Sequence, residues 1–134
     1  MHPHKDQLTP AEWIVMNALW ERSPMTLSET IAQIGTRAAW NYKTFAAYLA
    51  ILEKKGFIYA EKRGRDKLYC PAVSKTECIA RESRSVMEKI EARSMPLMVT
   101  SMVQACNLPL EDLKELHDAL TRMLEQEGNH ENDT

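Results

Sequence analysis

The sequence has no Gly-rich phosphate loop, no HExxH pair and no nucleophile elbow, and the only histidine inside a predicted folded helix, His117, stands on an acidic helix without a sequence partner. Each missing pattern supplies a specific geometry: a backbone cradle for phosphate, two imidazoles on one helix face, or a serine raised on a sharp turn. Their joint absence argues against an enzyme, and no cofactor is implied. Long apolar runs are also missing. The longest, such as "FAAYLAIL", have eight residues, far below the roughly 20 that cross a bilayer, so no membrane insertion is expected. The opening "MHPHKDQLTP" lacks the apolar core of a secretory signal, and a cytoplasmic location is the expectation.

Cysteine is scarce and unpaired. Cys70, Cys78 and Cys106 are an odd number with no CxxC among them, which in a cytosolic chain reads as reduced, inert thiols rather than a disulfide. Their wide spacing does not suit a metal site either, and the HxH of His2 and His4 sits in the N-terminal end, so no metal ligands are assigned.

What is present is an ordinary soluble composition, 27% charged and 44% hydrophobic, within a length suited to one domain or one small module plus an oligomerisation segment. The charge, however, is segregated. From Arg37 to Lys67 eight bases face three acids, whereas from Asn107 onward two bases face eight acids, in a chain of net charge -2. Such asymmetry points to an anionic partner for the middle segment; a solvated basic face is the plainer alternative.

Local signals order the elements. Thr9-Pro10-Ala11-Glu12 is a capping box with proline at the first helical position, and predicts a helix to about Glu21 with Trp13, Met16 and Trp20 on its apolar face. Thr26-Leu27-Ser28-Glu29 opens a second helix, ending at Gly35 and burying Leu27, Ile31 and Ile34. Asn41 caps a third, Tyr42 to Lys55, with Phe45, Tyr48, Leu49 and Leu52 inward and Gly56 as its stop. The period then alternates: "FIYAEKR" and "KLYCPAV", joined by "GRD", form a hairpin. Beyond it, Ser74-Lys75-Thr76-Glu77 opens a helix to about Arg93, Pro96 starts a methionine-rich helix, and Leu110 to Glu127 makes the last.

The fold class expected is therefore mainly α with a small β-hairpin. Residues 8–73 form an N-terminal winged helix-turn-helix, 74–127 a C-terminal helical dimerisation region, and 128–134 a frayed tail. The dimer interface is expected from Ile79, Val86, Met87, Ile90, Leu97, Met98, Met102, Leu113, Leu116 and Leu120, apolar at helical spacing yet too few to close a core alone. Methionines 87, 95, 98, 102 and 123 could be a soft metal site, but interleaving with leucine favours adaptable interface packing. Trp13 and Trp20 read as core rather than base-stacking residues, while Trp40 is open to either reading.

"LTPAEWIVMNALWE", then "YKTFAAYLAILEKKGFI", then "YAEKRGRDKLYCPAVSKTE", and the closing "LEDLKELHDAL", resemble in order and spacing the BlaI/MecI penicillinase-repressor family, which includes the CopY copper repressors. The resemblance implies a dimer that binds an inverted-repeat operator of double-stranded DNA and represses transcription. In some members the operator is released when a membrane sensor protease system leads to cleavage in the dimerisation region, a position falling here near Ser101 and Met102; the copper branch binds metal through a cysteine-rich C-terminus, whose paired cysteines are not found here. Lys43 and Thr44 match the family's positions at the start of the DNA-reading helix, whereas Ala46 and Ile51 stand where relatives often carry arginine.

On the winged-helix architecture Asn41, Tyr42, Lys43 and Thr44 enter the major groove, with Ala46 and Ala47 able to contact thymine methyls, and Lys62, Arg63, Arg65 and Lys67 of the wing lie over phosphates or the minor groove. Two further readings stay open: a metal-responsive repressor, and a protein-interaction adaptor on the same scaffold.

Overall fold

The computed structural model describes residues 7–132, which divide into two compact units between Val86 and Met87. In the first unit, helix α1 (Pro10–Glu21) begins on Thr9, whose hydroxyl accepts from the Glu12 N–H while the Glu12 carboxylate accepts from the Thr9 N–H. Helix α2 (Leu27–Ile34) repeats the arrangement with Thr26 and Glu29. Both helices start where the capping boxes place them, because the bonds involved span three residues and need no distant partner. A short 3₁₀ turn (Gly35–Arg37) leads to helix α3 (Tyr42–Lys55), which ends at Gly56 in the left-handed region, φ 86°.

Strands β1 (Ile58–Arg63) and β2 (Asp66–Pro71) pair antiparallel, with Arg63 opposite Asp66 and Ile58 opposite Pro71. The turn is thus Gly64 and Arg65, one residue shorter than the "GRD" expected; Asp66 already belongs to β2. Only Gly64 of the two has positive φ, 67°, the arrangement of a type II′ turn, whose twist suits a hairpin. A third segment joins the sheet edge: Met25 exchanges backbone hydrogen bonds with Tyr69, N–H to carbonyl at 3.1 and 2.8 Å. The segment ahead of α2 is thereby tied to the wing.

The core gathers Val15, Met16, Ala18 and Leu19 of α1, Met25, Ile34, then Phe45, Leu49 and Leu52 of α3, with Phe57 and Ile58. The buried line of α1 therefore runs through Val15, Met16 and Leu19, and not along the Trp13, Met16, Trp20 line. The two indoles are half-buried at its flank, 5.9 Å apart, and Trp20 Nε1 donates to the Val73 carbonyl at 2.9 Å. An indole at the core margin buries its apolar body while keeping its N–H bonded. Trp40 packs on Phe45 and Tyr48 at 5.0 and 4.7 Å, joining the core edge ahead of α3. In α2 it is Thr30 and Ile34 that are buried, with Leu27 and Ile31 half-covered.

Helix α4 (Lys75–Ile90) stops earlier than Arg93, because Glu91 takes φ 66° and breaks the helical run before a 3₁₀ turn at Ala92–Ser94. Its one buried side chain is Cys78, not Ile79, which is exposed. Burial pushes the Cys78 thiol up, so it stays protonated. In the second unit, helix α5 (Met95–Cys106) is followed by helix α6 (Leu110–Asn132). Helix α6 runs past the expected end at Glu127, through Gly128 to Asn132, the glycine carrying a propensity cost of about 1 kcal/mol relative to alanine. Among the described residues after Met87 no side chain is fully buried. No described helix is long and apolar enough to cross a membrane.

Candidate nucleic-acid interface

Helix α3 has one satisfied face and one free face. With Phe45, Leu49 and Leu52 inward, the helical repeat puts Lys43, Ala47, Ala50 and Lys54 on the opposite line, all exposed. Tyr42 projects beside them at the helix start, 62% exposed, and Ile51 flanks them at 43%. Ala46 turns out to be half-buried on the other flank, so Ala50 rather than Ala46 completes the outward line with Ala47. Ala50 and Lys54 had no place among the expected contacts, although their spacing from Lys43, seven and eleven residues, would have revealed them.

The start of α3 is held by Asn41. Its Oδ1 accepts both the Thr44 N–H at 2.9 Å and the Thr44 hydroxyl at 3.0 Å. Asn41 is exposed and Thr44 half-buried. The cap uses the acceptor of Asn41 and the donor of Thr44, which leaves the Asn41 amide N–H groups and the Thr44 methyl to face outward chemistry. Lys43, adjacent and exposed, is committed to no partner among the described residues.

The wing carries Lys62, Arg63, Arg65 and Lys67, all exposed. The register places Lys62 directly opposite Lys67. Like charges facing each other across a strand pair repel and are destabilising, and the ion pair of Lys67 with Glu53, Nζ to Oε1 at 4.0 Å between two exposed side chains, offsets this only weakly. A paired cationic face of this kind is a standing cost in isolation and a gain against a line of phosphates.

Not every base of the middle segment is available. Arg37 is bound to Glu21 at 2.7 Å and to the carbonyls of Gln33 and Ile34. Lys55 is turned inward, its Nζ 2.9 Å from both oxygens of Glu12, which is 1% exposed. The eight bases in the sequence thus reduce to Lys43 and Lys54 on α3 and the four of the wing. The sequence shows how many charges there are but not which ones fold back.

Burial alone would push the Glu12 carboxyl up, but hydrogen bonds from the Lys55 ammonium and from Thr9 overcome it and hold the group below the usual glutamate range. A carboxyl whose folded value is depressed contributes stability that is complete above its unfolded value and is lost as pH falls through the folded one. Thermal melts across the acid range should therefore fall more steeply for wild type than for Glu12→Gln. Parallel profiles would mean that Glu12 does not carry this dependence.

In the second unit none of the expected interface residues is fully buried. Leu97, Met102, Leu113 and Leu120 are exposed, and Met87, Ile90, Met98 and Leu116 half-buried. Val86, half-buried, and Ile79, exposed, lie on α4 in the first unit. Ser101 and Met102 are exposed in the middle of α5. Among the described residues no three His, Cys, Asp or Glu side chains come together in a way that could hold a metal; His2 and His4 lie outside them.

Comparison with known proteins gives a consistent picture. The sequence model of the penicillinase repressor family matches residues 8–122. The chain is 28% identical to the penicillinase repressor of Bacillus licheniformis over 85% of its own length and 89% of that protein. It is 25% identical to the methicillin resistance regulatory protein MecI of Mammaliicoccus sciuri over 87% and 94%. Among solved structures, the Bacillus licheniformis BlaI monomer in complex with the blaP half-operator matches 53% of this chain and 87% of that one, at 31% identity and a TM-score of 0.47.

Proposed function

The chain belongs to the penicillinase repressor family, and from that premise we infer a dimeric repressor of transcription whose first unit grips double-stranded operator DNA with α3 in the major groove and the wing along the backbone. The family match makes the chain a DNA-binding regulator rather than an enzyme. The observation that carries the geometry is the wing itself: four exposed bases, two of them facing each other across the strands, together with the exposed residues at the start of α3. Phosphate contacts from the wing position the protein, and Lys43 with its neighbours reads base edges.

A titration against a random-sequence duplex at several salt concentrations tests this. Affinity should fall steeply with salt, each neutralised phosphate adding about 0.9 to the logarithmic slope. Arg65→Ala should lower affinity evenly across sequences and flatten the slope by about that amount. Lys43→Ala should instead weaken binding to a selected operator by about 1–3 kcal/mol while leaving random duplex nearly unaffected. A wild-type chain that ignores duplex DNA would favour the adaptor reading, for which the exposed Ile51 beside Ala47 and Ala50 is the supporting feature.

The partner of the second unit is a second copy of the chain. Along α6, exposed Leu113, Leu120, Met123 and Leu124 with half-buried Leu116 recur at spacings of three and four, the pattern of a two-stranded helical seam. A dimer presents two reading helices, so the operator is an inverted repeat with half-sites about one helical turn apart or slightly more. The relatives' names point to control of antibiotic-resistance genes, and the chain works in the cytoplasm, where such operators are. Release by a membrane sensor protease system would act near Ser101 and Met102. Because both lie inside α5, cutting there requires a local opening of that helix, with loss of the adjoining seam.

A further inference from the structure

We propose that the Glu12–Lys55 ion pair is a positioning pair that fixes the recognition helix against the wing, and so sets discrimination between operator and other DNA without itself touching phosphate. The inference rests on the DNA-binding reading above and deepens it. Glu12 is the third residue of α1 and Lys55 the last of α3. Glu12 Oε1 accepts the Thr9 N–H at 2.8 Å and Lys55 Nζ at 2.9 Å, while Oε2 accepts the same ammonium at 2.9 Å. One carboxylate thus closes the start of α1 and clamps the end of α3. Immediately after Lys55 the chain reverses at Gly56, φ 86°, and enters the buried start of β1 through Phe57 and Ile58. A shift of the Lys55 end would move the reading helix and the wing relative to each other.

The pair's chemistry supports a geometric role over a merely adhesive one. A buried ion pair recovers little net stability over a well-packed apolar pair, because desolvation consumes most of the attraction. What it does supply is direction: the ammonium is bonded to both oxygens, and the carboxylate is held in turn by the Thr9 backbone, so the helix end has one favoured seat. Lys55 itself, with 21% of its side chain exposed and its ammonium engaged, is withdrawn from the cationic face that Lys43, Lys54 and the wing present. Contacts to the backbone tolerate small displacements, whereas paired hydrogen bonds to a base edge do not.

The test uses the full chain and two probes, a random-sequence duplex and an operator selected from a random pool by wild type. Glu12→Gln keeps an amide oxygen for the cap, Lys55→Met removes the cation, and the Glu12→Gln/Lys55→Met double variant avoids leaving a buried charge unpaired should Lys55→Met fold poorly. After thermal melts establish folding, each folded variant should match wild type on random duplex within about twofold and keep its salt slope. Operator affinity should fall about tenfold or more, the scale of a misplaced base contact, and Lys55→Arg, which retains a donor to Glu12, should recover most of it. An unchanged ratio of operator to random affinity in the folded double variant overturns the proposal and leaves the pair structural. A Lys55→Met loss on random duplex with a flattened salt slope also overturns it, because Lys55 would then be a phosphate contact. Failure of wild type to bind random duplex at all would instead defeat the DNA-binding reading on which the proposal rests.

Discussion

Leu113→Glu/Leu120→Glu should turn the chain into a folded monomer that has lost high-affinity operator binding. Both leucines are exposed on α6 and lie on the same apolar line as Leu116, with Met123 and Leu124 extending it, the last 74% exposed. Spacings of three and four residues keep such a line facing one partner helix along its length. Around it stand Glu111, Asp112, Glu115 and Asp118, so two added carboxylates per copy would meet both an apolar contact and like charge. The cost would fall on association, because the first unit has its own core, built from α1, α2, α3 and the hairpin. Two linked reading helices bind with an effective concentration that a monomer lacks, and losing it should reduce operator affinity by about 10²- to 10⁴-fold. Light scattering after size exclusion would read the mass, and titration with full and half operators the affinity. A double variant that remains dimeric would move the seam off α6. A monomer with undiminished operator affinity would show that the two half-sites are not bound together.

The elements most legible in the sequence are those whose causes are local. Thr9 with Glu12, Thr26 with Glu29, and Asn41 each complete a cap within three residues, and Gly56 and Gly64 occupy the positive-φ positions where a side chain would be strained. Helix starts and the hairpin follow from these. The end of α4 does not, since neither glycine nor proline marks it and the break falls on Glu91. The pairing of Met25 with Tyr69 was equally hidden, because nothing near Met25 specifies a strand partner so far along the chain.

The candidate interface divides in the same way. Its basic wing and the start of α3 can be read from residue types alone, but the availability of each base depends on long-range contacts. Arg37 and Lys55 look equivalent to Arg65 in a charge count, and only the fold pairs them with Glu21 and Glu12. The Lys62–Lys67 opposition depends on register, which the one-residue difference in turn length would have altered. Helical spacing identifies the apolar side of α3 correctly because its inner residues meet one core shared with α1 and α2. It misjudged α1, where two bulky indoles drew the apolar line towards themselves although smaller Val15, Ala18 and Leu19 fill the interior.

Leu49→Ala should have the largest effect on the first unit's stability. Leu49 is 1% exposed at the middle of α3, in the core cluster with Met16, Leu19, Ile34 and Leu52. Removing a buried leucine side chain forfeits its transfer free energy and leaves a cavity that surrounding residues fill only in part, at about 2–5 kcal/mol. Against a typical total of about 5–15 kcal/mol this is a substantial fraction. Urea unfolding should show a midpoint lowered with little change in slope, since the surface exposed on unfolding is nearly the same. Leu97→Ala, at a site 73% exposed in the second unit, is the counterpart: in a monomeric background it should change unfolding by no more than about 0.5 kcal/mol. The contrast separates what the apolar residues of the two units do. In the first they hold the reading helix in place within one chain, so losing one weakens the fold. In the second none is fully buried, so on the dimer reading their substitution should register as a concentration-dependent loss of association.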